Sequence, residues 1–387
     1  MNAIRPTACS AITLVVIVGC LSCGNTDGVT QAKPPADEPL RIESLDVGEA
    51  QTCVLVSDGS VYCWGLGDYG ETGAVGFTLS PQRVESLPAV ISMAAGAGST
   101  CAITAMGAFW CWGSAFGNKF GGELGGPRPV EVLAGTNASD FALAHVNICK
   151  VEQGGLYCWG GDYGAGEALP TREKVLALSH GAPTCAISAS HEVLCWGFNN
   201  DGQLGDGTTT PHDLPVPTVN TGEEMMTVAS VVYRVFAVAK SGTLYGWGNN
   251  GPGGALGTGD EEVRLTPTAL SGLPPVRGVD TSLFHACAVS QADSVYCWGI
   301  GPEGQLGTGN TASSPVPVPV LFDRPVLDVA VGAPRSCVLT LDREVYCFGE
   351  GPLGDGTYAS SSVPVRIHFP WEAAESDAGA RGMGPDE

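Results

Sequence analysis

Ser60-Val61-Tyr62-Cys63-Trp64-Gly65 is the first of seven segments that end alike. The others are AFWCWG (108–113), GLYCWG (155–160), EVLCWG (192–197), TLYGWG (243–248), SVYCWG (294–299) and EVYCFG (344–349). The aromatic residues before the glycine, Trp64, Trp112, Trp159, Trp196, Trp247, Trp298 and Phe348, lie 48, 47, 37, 51, 51 and 50 residues apart. A recurrence of this period marks a chain built from copies of one supersecondary unit.

Outward from each ending the grammar is constant. An apolar lead-in such as VISMAAG (90–96) or VLDVAVG (326–332) precedes a second short run, CVLV (53–56), CAIT (101–104) or CAVS (287–290). A tight turn, Ser57-Asp58-Gly59 in the first unit, joins that run to the aromatic ending, as in a hairpin. A glycine-rich loop then leads to a proline-bearing segment such as LPVPTV (214–219) or VPVPVL (316–321). Proline cannot donate to a ladder, so this fourth segment belongs at a sheet edge. Four strands per unit predict an all-β, seven-bladed β-propeller. The short interval of 37 residues places a truncated loop after Trp159. The first strand, RIESLDV (41–47), and the last, VPVRIHF (363–369), come from opposite ends of the chain. The expectation is that they share one blade and so close the ring.

The loops after the aromatic endings carry Gly-x-Leu-Gly-x-Gly at Gly202–Gly207, Gly254–Gly259 and Gly304–Gly309, with a partial copy at Leu353–Gly356. With the hairpin ending in Trp-Gly, this resembles the regulator of chromosome condensation repeat over about residues 40–370. The resemblance implies the propeller fold and leaves function open. Members of that family include a nuclear exchange factor for a small GTPase that also binds chromatin. They also include secreted bacterial propellers, one of which inhibits β-lactamase. No exchange-factor residue is carried over.

Fifteen cysteines are present. Twelve form six pairs with one member on each arm of a hairpin: Cys53 with Cys63, Cys101 with Cys111, Cys149 with Cys158, Cys185 with Cys195, Cys287 with Cys297 and Cys337 with Cys347. Opposed residues of antiparallel strands have Cα atoms about 4.5–5.5 Å apart, within reach of a disulfide. In the fifth unit both positions change together, to Phe236 and Gly246, as bonded partners would. The alternative is twelve buried thiols in a reducing compartment. A zinc site would require two pairs to converge.

The chain divides into a signal region (1–20), a tether (21–38), the propeller (39–371) and an acidic tail (372–387). In the first region Arg5 precedes an apolar stretch shorter than a membrane span. It ends in Ile17-Val18-Gly19-Cys20, which resembles a bacterial lipobox with Cys20 as the lipidated residue. An ordinary cleaved signal is the alternative. Leu21 in the next position resembles sorting to the outer membrane. The expectation is an exported lipoprotein of this repeat family, anchored at the periplasmic face or the cell surface.

Lysine and arginine number 18 and aspartate and glutamate 40, for a net charge of −22. That balance argues against nucleic acid as a partner and against a basic patch on anionic lipid. The glycine-rich loops lack the Gly-Lys-Ser/Thr and the following helix of a phosphate site, so they read as turns of positive φ. Asn199-Asn200-Asp201-Gly202 lacks the alternating acidic ligands of a calcium loop. The six histidines are scattered over the blades, and neither a metal pair nor a catalytic constellation follows from them. No cofactor is expected.

Comparing the blades isolates one position that varies where its neighbours do not: Gln51, Ser99, Asn147, Pro183, Arg234, His285 and Arg335. Symmetry puts these in a ring at one end of the disc, either free to vary or reading a partner. Tyr69, Phe116, Phe120 and Tyr163 add aromatics to the loops of the first three units, as binding anchors or as packing between blades. Arg234 and Arg335 are expected to pair with a carboxylate of the partner. Together these features predict non-catalytic recognition of a protein or glycan by a monomeric, membrane-tethered propeller. A lyase or hydrolase on the same scaffold and a purely structural envelope protein are the alternatives.

Overall fold

A computed structural model describes residues 39–114, 126–133, 138–143, 147–160, 163–179 and 181–372. They form seven four-stranded antiparallel sheets, each paired in chain order. Blade 1 is Ile42–Val47, Gln51–Val56, Val61–Gly67 and Gly76–Arg83, and blade 7 is Val326–Gly332, Arg335–Thr340, Val345–Gly349 and Ser361–Ile367. The outermost strands of blades 4 to 7, His212–Pro217, Arg264–Ala269, Ser314–Pro319 and Ser361–Ile367, all contain proline. This agrees with edge positions, where a missing N–H leaves no ladder partner unsatisfied.

The sequence expectation fails at the closure. The first and last strands do not share a blade: Ile42–Val47 is the innermost strand of blade 1, and Ser361–Ile367 is the outermost strand of blade 7. Each end already completes four strands, so no strand is left to lend. The ring closes instead by face packing. Ile42, Leu45, Val54 and Trp64 of blade 1 share one buried cluster with Leu339, Val345, Ile367 and Phe369. Phe369 meets Trp64 edge-on at 6.1 Å, and Trp371 meets Tyr62 at 5.0 Å. Arg343 also donates to the carbonyl oxygens of Ile42 and Glu43. The segment after Trp159 is likewise more than a shortened loop: Tyr163–Leu169 is itself the outermost strand of blade 3.

The hydrophobic core lies in the seams between blades. Val289 and Phe348 share one cluster across blades 6 and 7, and Val238 and Trp298 share another across blades 5 and 6. The loop motif follows from this packing. Gly205 has φ +66°, and a β-carbon there would come 2.7 Å from Nε1 of Trp247 in the next blade. Leu204 beside it is fully buried. The glycines therefore let a loop lie flat on the next blade's aromatic ring, while the leucine fills the space beneath.

The hairpins pair as their cysteine spacing requires. Cys53 opposes Cys63 in blade 1 and Cys101 opposes Cys111 in blade 2. In blade 3 Cys149 opposes Cys158 despite the shorter turn. Cys185 opposes Cys195 in blade 4, Cys287 opposes Cys297 in blade 6, and Cys337 opposes Cys347 in blade 7. Each of these six pairs is a disulfide, with Cα atoms 4.1 Å apart. That separation is a little closer than the spacing expected from unbonded register. In blade 5 Phe236 opposes Gly246, whose β-carbon would come 2.9 Å from Phe236 Cε1. The ring occupies the place of a disulfide and packs edge-on against Trp298 at 5.7 Å. The two positions are coupled by volume here, as they are by a bond elsewhere.

Candidate functional site

The strand order sends both the inner turns and the loops after Trp-Gly to one end of the disc. Main-chain bonds tie the two sets together: Leu66 N–H donates to Ala50, Asn249 to Tyr233 and Ile300 to Phe284. The hairpin turns and interblade links occupy the other end. Side chains that project from these loops into solvent can change without disturbing the seams below.

The varying ring does not face a partner. Gln51, Ser99, Pro183, Arg234, His285 and Arg335 are buried. They hold blades and loops together. Gln51 Nε2 donates to the carbonyls of Gly96 and Ser99 in blade 2. Arg234 donates to the carbonyls of Ser282 and Leu283 in blade 6. His285 Nε2 lies 2.7 Å from Ser336 Oγ in blade 7. Arg335 donates to the Pro352 carbonyl, and Ser99 Oγ to that of Ser114. Gln51, Arg234 and His285 thus bond across a seam, and Ser99 and Arg335 bond to the loop of their own blade. Burial holds both guanidinium pKa values down to about 10. Burial and then Arg234 lower that of His285 to about 3, so it is neutral. Neither arginine is available for a partner's carboxylate. Asn147 opens the second strand of blade 3, but its side chain lies outside the described residues.

Of the predicted anchors, Tyr69 is 64% exposed on this face. Tyr163 opens the outermost strand of blade 3, and its side chain is outside the described residues, as are Phe116 and Phe120 entirely. Among the exposed aromatics that the sequence reading missed on the same end are Phe198 after the Trp-Gly of blade 4, and Tyr233 and Phe284 at the inner turns of blades 5 and 6. They are 62%, 45% and 40% exposed. The available signal was an aromatic immediately before the varying position in two blades.

Charge separates the two ends. The aromatic face carries Glu49, Asp68 and Glu303 exposed, with Asp201 and Glu350 partly so. Among the described residues its cations are Arg234 and Arg335, both buried, Arg264, held by Asp260 at 2.6 Å, and Arg128 on the outermost strand of blade 2. The hairpin face carries the ion pairs, such as Lys240–Glu224 at 2.7 Å and Arg277–Asp293 at 2.7 Å. The one face is acidic and aromatic, and the other is mixed and internally paired.

Carboxylates also lie between the innermost strands around the bore. Asp46 accepts from the N–H groups of Val47 and, across the seam, Ala95. Asp280 accepts from Thr281 and Val331. Asp140 accepts from Phe141 and Leu178. These bonds satisfy N–H groups on strand edges that have no further strand to pair with. Burial, with Asp46 nearby, pushes Asp280 up to about 8. Asp328 is exposed on the bore, and desolvation by the surrounding strands, with Asp46 nearby, pushes it up to about 6. The segment considered for calcium is used internally. Asn199 accepts from Leu204 N–H and donates to the Thr208 and Thr210 carbonyls, and Asp201 accepts from Asn249.

The family model for the regulator of chromosome condensation (RCC1) repeat matches residues 58–103, 190–233, 241–289 and 292–339. A second model of the same repeat matches 42–71. The chain is 30% identical over 274 residues to the human E3 ubiquitin-protein ligase HERC2, covering 63% of this chain and 5% of that one. It is 28% identical over 222 residues to the ultraviolet-B receptor UVR8 of Arabidopsis thaliana, covering 51% and 50%. It thus spans at most half the length of these curated relatives. Among solved structures, Prp20p of Saccharomyces cerevisiae, described with its binding to Gsp1p and histones, superposes with TM-score 0.68 at 18% identity, covering 88% and 86% of the two chains. Human WBSCR16 superposes with TM-score 0.54 at 19% identity, covering 85% and 82%. At these identities the likeness is one of fold.

Proposed function

We propose that this chain, which belongs to the regulator of chromosome condensation repeat family, recognises a protein partner without catalysis, through the face that carries Tyr69, Phe198, Tyr233 and Phe284. The observation that carries the reading is the coincidence of exposed aromatic rings with exposed carboxylates on one end of a rigid disc. Aromatic side chains exposed on turns supply large contact area at small entropic cost and dominate binding energy where they are buried by a partner. Protein binding by Prp20p, a disc of the same fold, supports the reading. The partner's surface is basic rather than acidic, because this face exposes carboxylates while Arg234 and Arg335 are committed to internal carbonyls.

The place of action that we propose is the cell envelope, with the protein exported and acylated at Cys20. The six disulfides support this, since such bonds persist in oxidising compartments. The recognition reading is tested by capturing partners on the full chain and comparing two variants. The first is the triple alanine variant of Phe198, Tyr233 and Phe284. The second carries alanine at Met106 and Leu341, which are exposed on the opposite face. The first set should cost about tenfold or more in affinity and the second nothing. The reverse result contradicts the proposal.

A further inference from the structure

The ladder of blade 1 is longer than its counterparts. In blades 4 to 7 the pairing of the third and fourth strands ends at the glycine after the aromatic, as at Gly299 with Ser314 and Gly349 with Ser361. In blade 1 it continues past Gly65 to Leu66 with Phe77 and Gly67 with Gly76. The two further pairs carry this ribbon about 7 Å past the point where the others stop. Phe77 there meets Tyr358 of blade 7 edge-on, with ring centres 5.4 Å apart and planes at 82°. Beside them the Gly356 N–H donates to the Leu79 carbonyl and ties the blade 7 loop to the ribbon. The two rings are 59% and 55% exposed, so they form a floor and a wall without covering each other. A β-carbon at Gly76 or Gly356 would meet nothing within 4 Å, and main chain therefore lies bare beside each ring. Residues 72–82 and 356–365 contain no charged side chain, in a chain of net charge −22. Hydroxyls stand there instead, and those of Tyr358 and Ser360 make no hydrogen bond among the described residues.

We propose that this corner, on the seam between blades 7 and 1, binds a neutral glycan, with one sugar ring lying on Phe77 and its edge against Tyr358. The proposal goes beyond protein recognition and does not depend on it. A sugar presents apolar C–H groups on its faces and hydroxyls on its edges. It is matched by an aromatic surface bordered by neutral groups that donate and accept hydrogen bonds. The bare glycines admit close approach to the main chain. A basic protein segment finds no carboxylate within residues 72–82 or 356–365, so the chemistry here differs from that of the acidic face. The rings are already fixed by each other and by the ladder, and binding has little left to order.

The test is isothermal titration of the full chain with three neutral hexasaccharides, cellohexaose, maltohexaose and chitohexaose, and with hexagalacturonate as an anionic control of equal length. At least one neutral probe should bind saturably, and the anionic probe should be repelled by the acidic body. Phe77→Ala and Tyr358→Ala should each weaken that binding about tenfold or more, while Phe198→Ala on the protein face should leave it within about twofold. Both rings are more than half exposed, so thermal melts of these variants should match the parent chain. Absence of saturable binding by every neutral probe overturns the proposal. Binding that Phe198→Ala weakens and the two corner variants leave intact also overturns it, because the sugar then sits on the protein face. If the corner variants impair a captured protein partner and no hexasaccharide binds, the corner belongs to the protein interface. Glycan binding then falls and recognition survives.

Discussion

Trp64 of blade 1 donates its Nε1–H to the carbonyl oxygen of Leu353 in blade 7, 2.7 Å away. The same bond joins Trp247 to Gln203 and Trp298 to Ala255 across other seams. Trp196, which follows the blade lacking a full glycine-rich loop, is buried to the same degree, but its Nε1 finds no acceptor among the described residues. Replacing either residue with phenylalanine removes similar volume, so the difference between them isolates the bond. Trp64→Phe should therefore cost about 1 kcal/mol more than Trp196→Phe in denaturant unfolding, because it leaves a buried carbonyl unsatisfied. Equal losses would show that the indole N–H contributes nothing to closure.

Gly246→Ala should destabilise the protein by about 1–3 kcal/mol, since the added methyl enters the space of the Phe236 ring. The paired change Phe236→Cys with Gly246→Cys places two cysteines in the register of the other hairpins and should form a seventh disulfide. Thiol titration of the denatured, unreduced variant reads the outcome. Two extra free thiols would mean that blade 5 differs in backbone as well as in side chains.

Two groups, the half-buried Asp280 on the bore and the fully buried His285, give stability opposite slopes with pH. Asp280 is raised to about 8 when folded, above its unfolded value of about 3.9. The folded state thus holds a proton that the unfolded state has lost, and stability falls as pH rises through that window. His285 is lowered to about 3, below about 6.5 unfolded, so its contribution is lost as pH falls from 6.5 toward 3. Thermal melts should show a maximum between these limits and a decline from about pH 6.5 to pH 8. Asp280→Asn should flatten the alkaline decline, and His285→Asn the acid one. A stability that keeps rising to pH 8 would contradict the placement of Asp280.

The repeat, the blade count and the cysteine pairing were legible because each leaves a mark at a fixed spacing: Trp-Gly about every 50 residues, and paired cysteines across a short turn. The closure was not, because Ile42–Val47 and Ser361–Ile367 read as strands in either arrangement, and only their pairing partners distinguish a shared blade from two complete ones. The varying ring was found correctly as a ring and misread in its role. Gln51, Arg234 and His285 differ because the carbonyls and hydroxyls across their seams differ, which one chain read blade by blade does not reveal. Phe198, Tyr233 and Phe284 were overlooked because each is a single aromatic next to a repeated position, and exposure is not written in spacing.

Acylation at Cys20 predicts a mass increment from acyl chains on the mature N-terminus, and release from membranes or blocked maturation for Cys20→Ser. Mass spectrometry of the membrane fraction decides the matter. An unmodified N-terminus, with Cys20→Ser still sedimenting with the outer membrane, would remove the anchor from the account.

Hydrogen exchange of the full chain, measured with and without its captured partner, tests recognition by the aromatic face most directly. The amides of the inner turns and the loops after Trp-Gly, including Tyr69, Phe198, Tyr233 and Phe284, should exchange more slowly in the complex. The hairpin turns at residues 57–59, 105–107, 240–242 and 341–343 should be unchanged. Protection confined to those hairpin turns would place the partner on the other end of the disc and contradict the account.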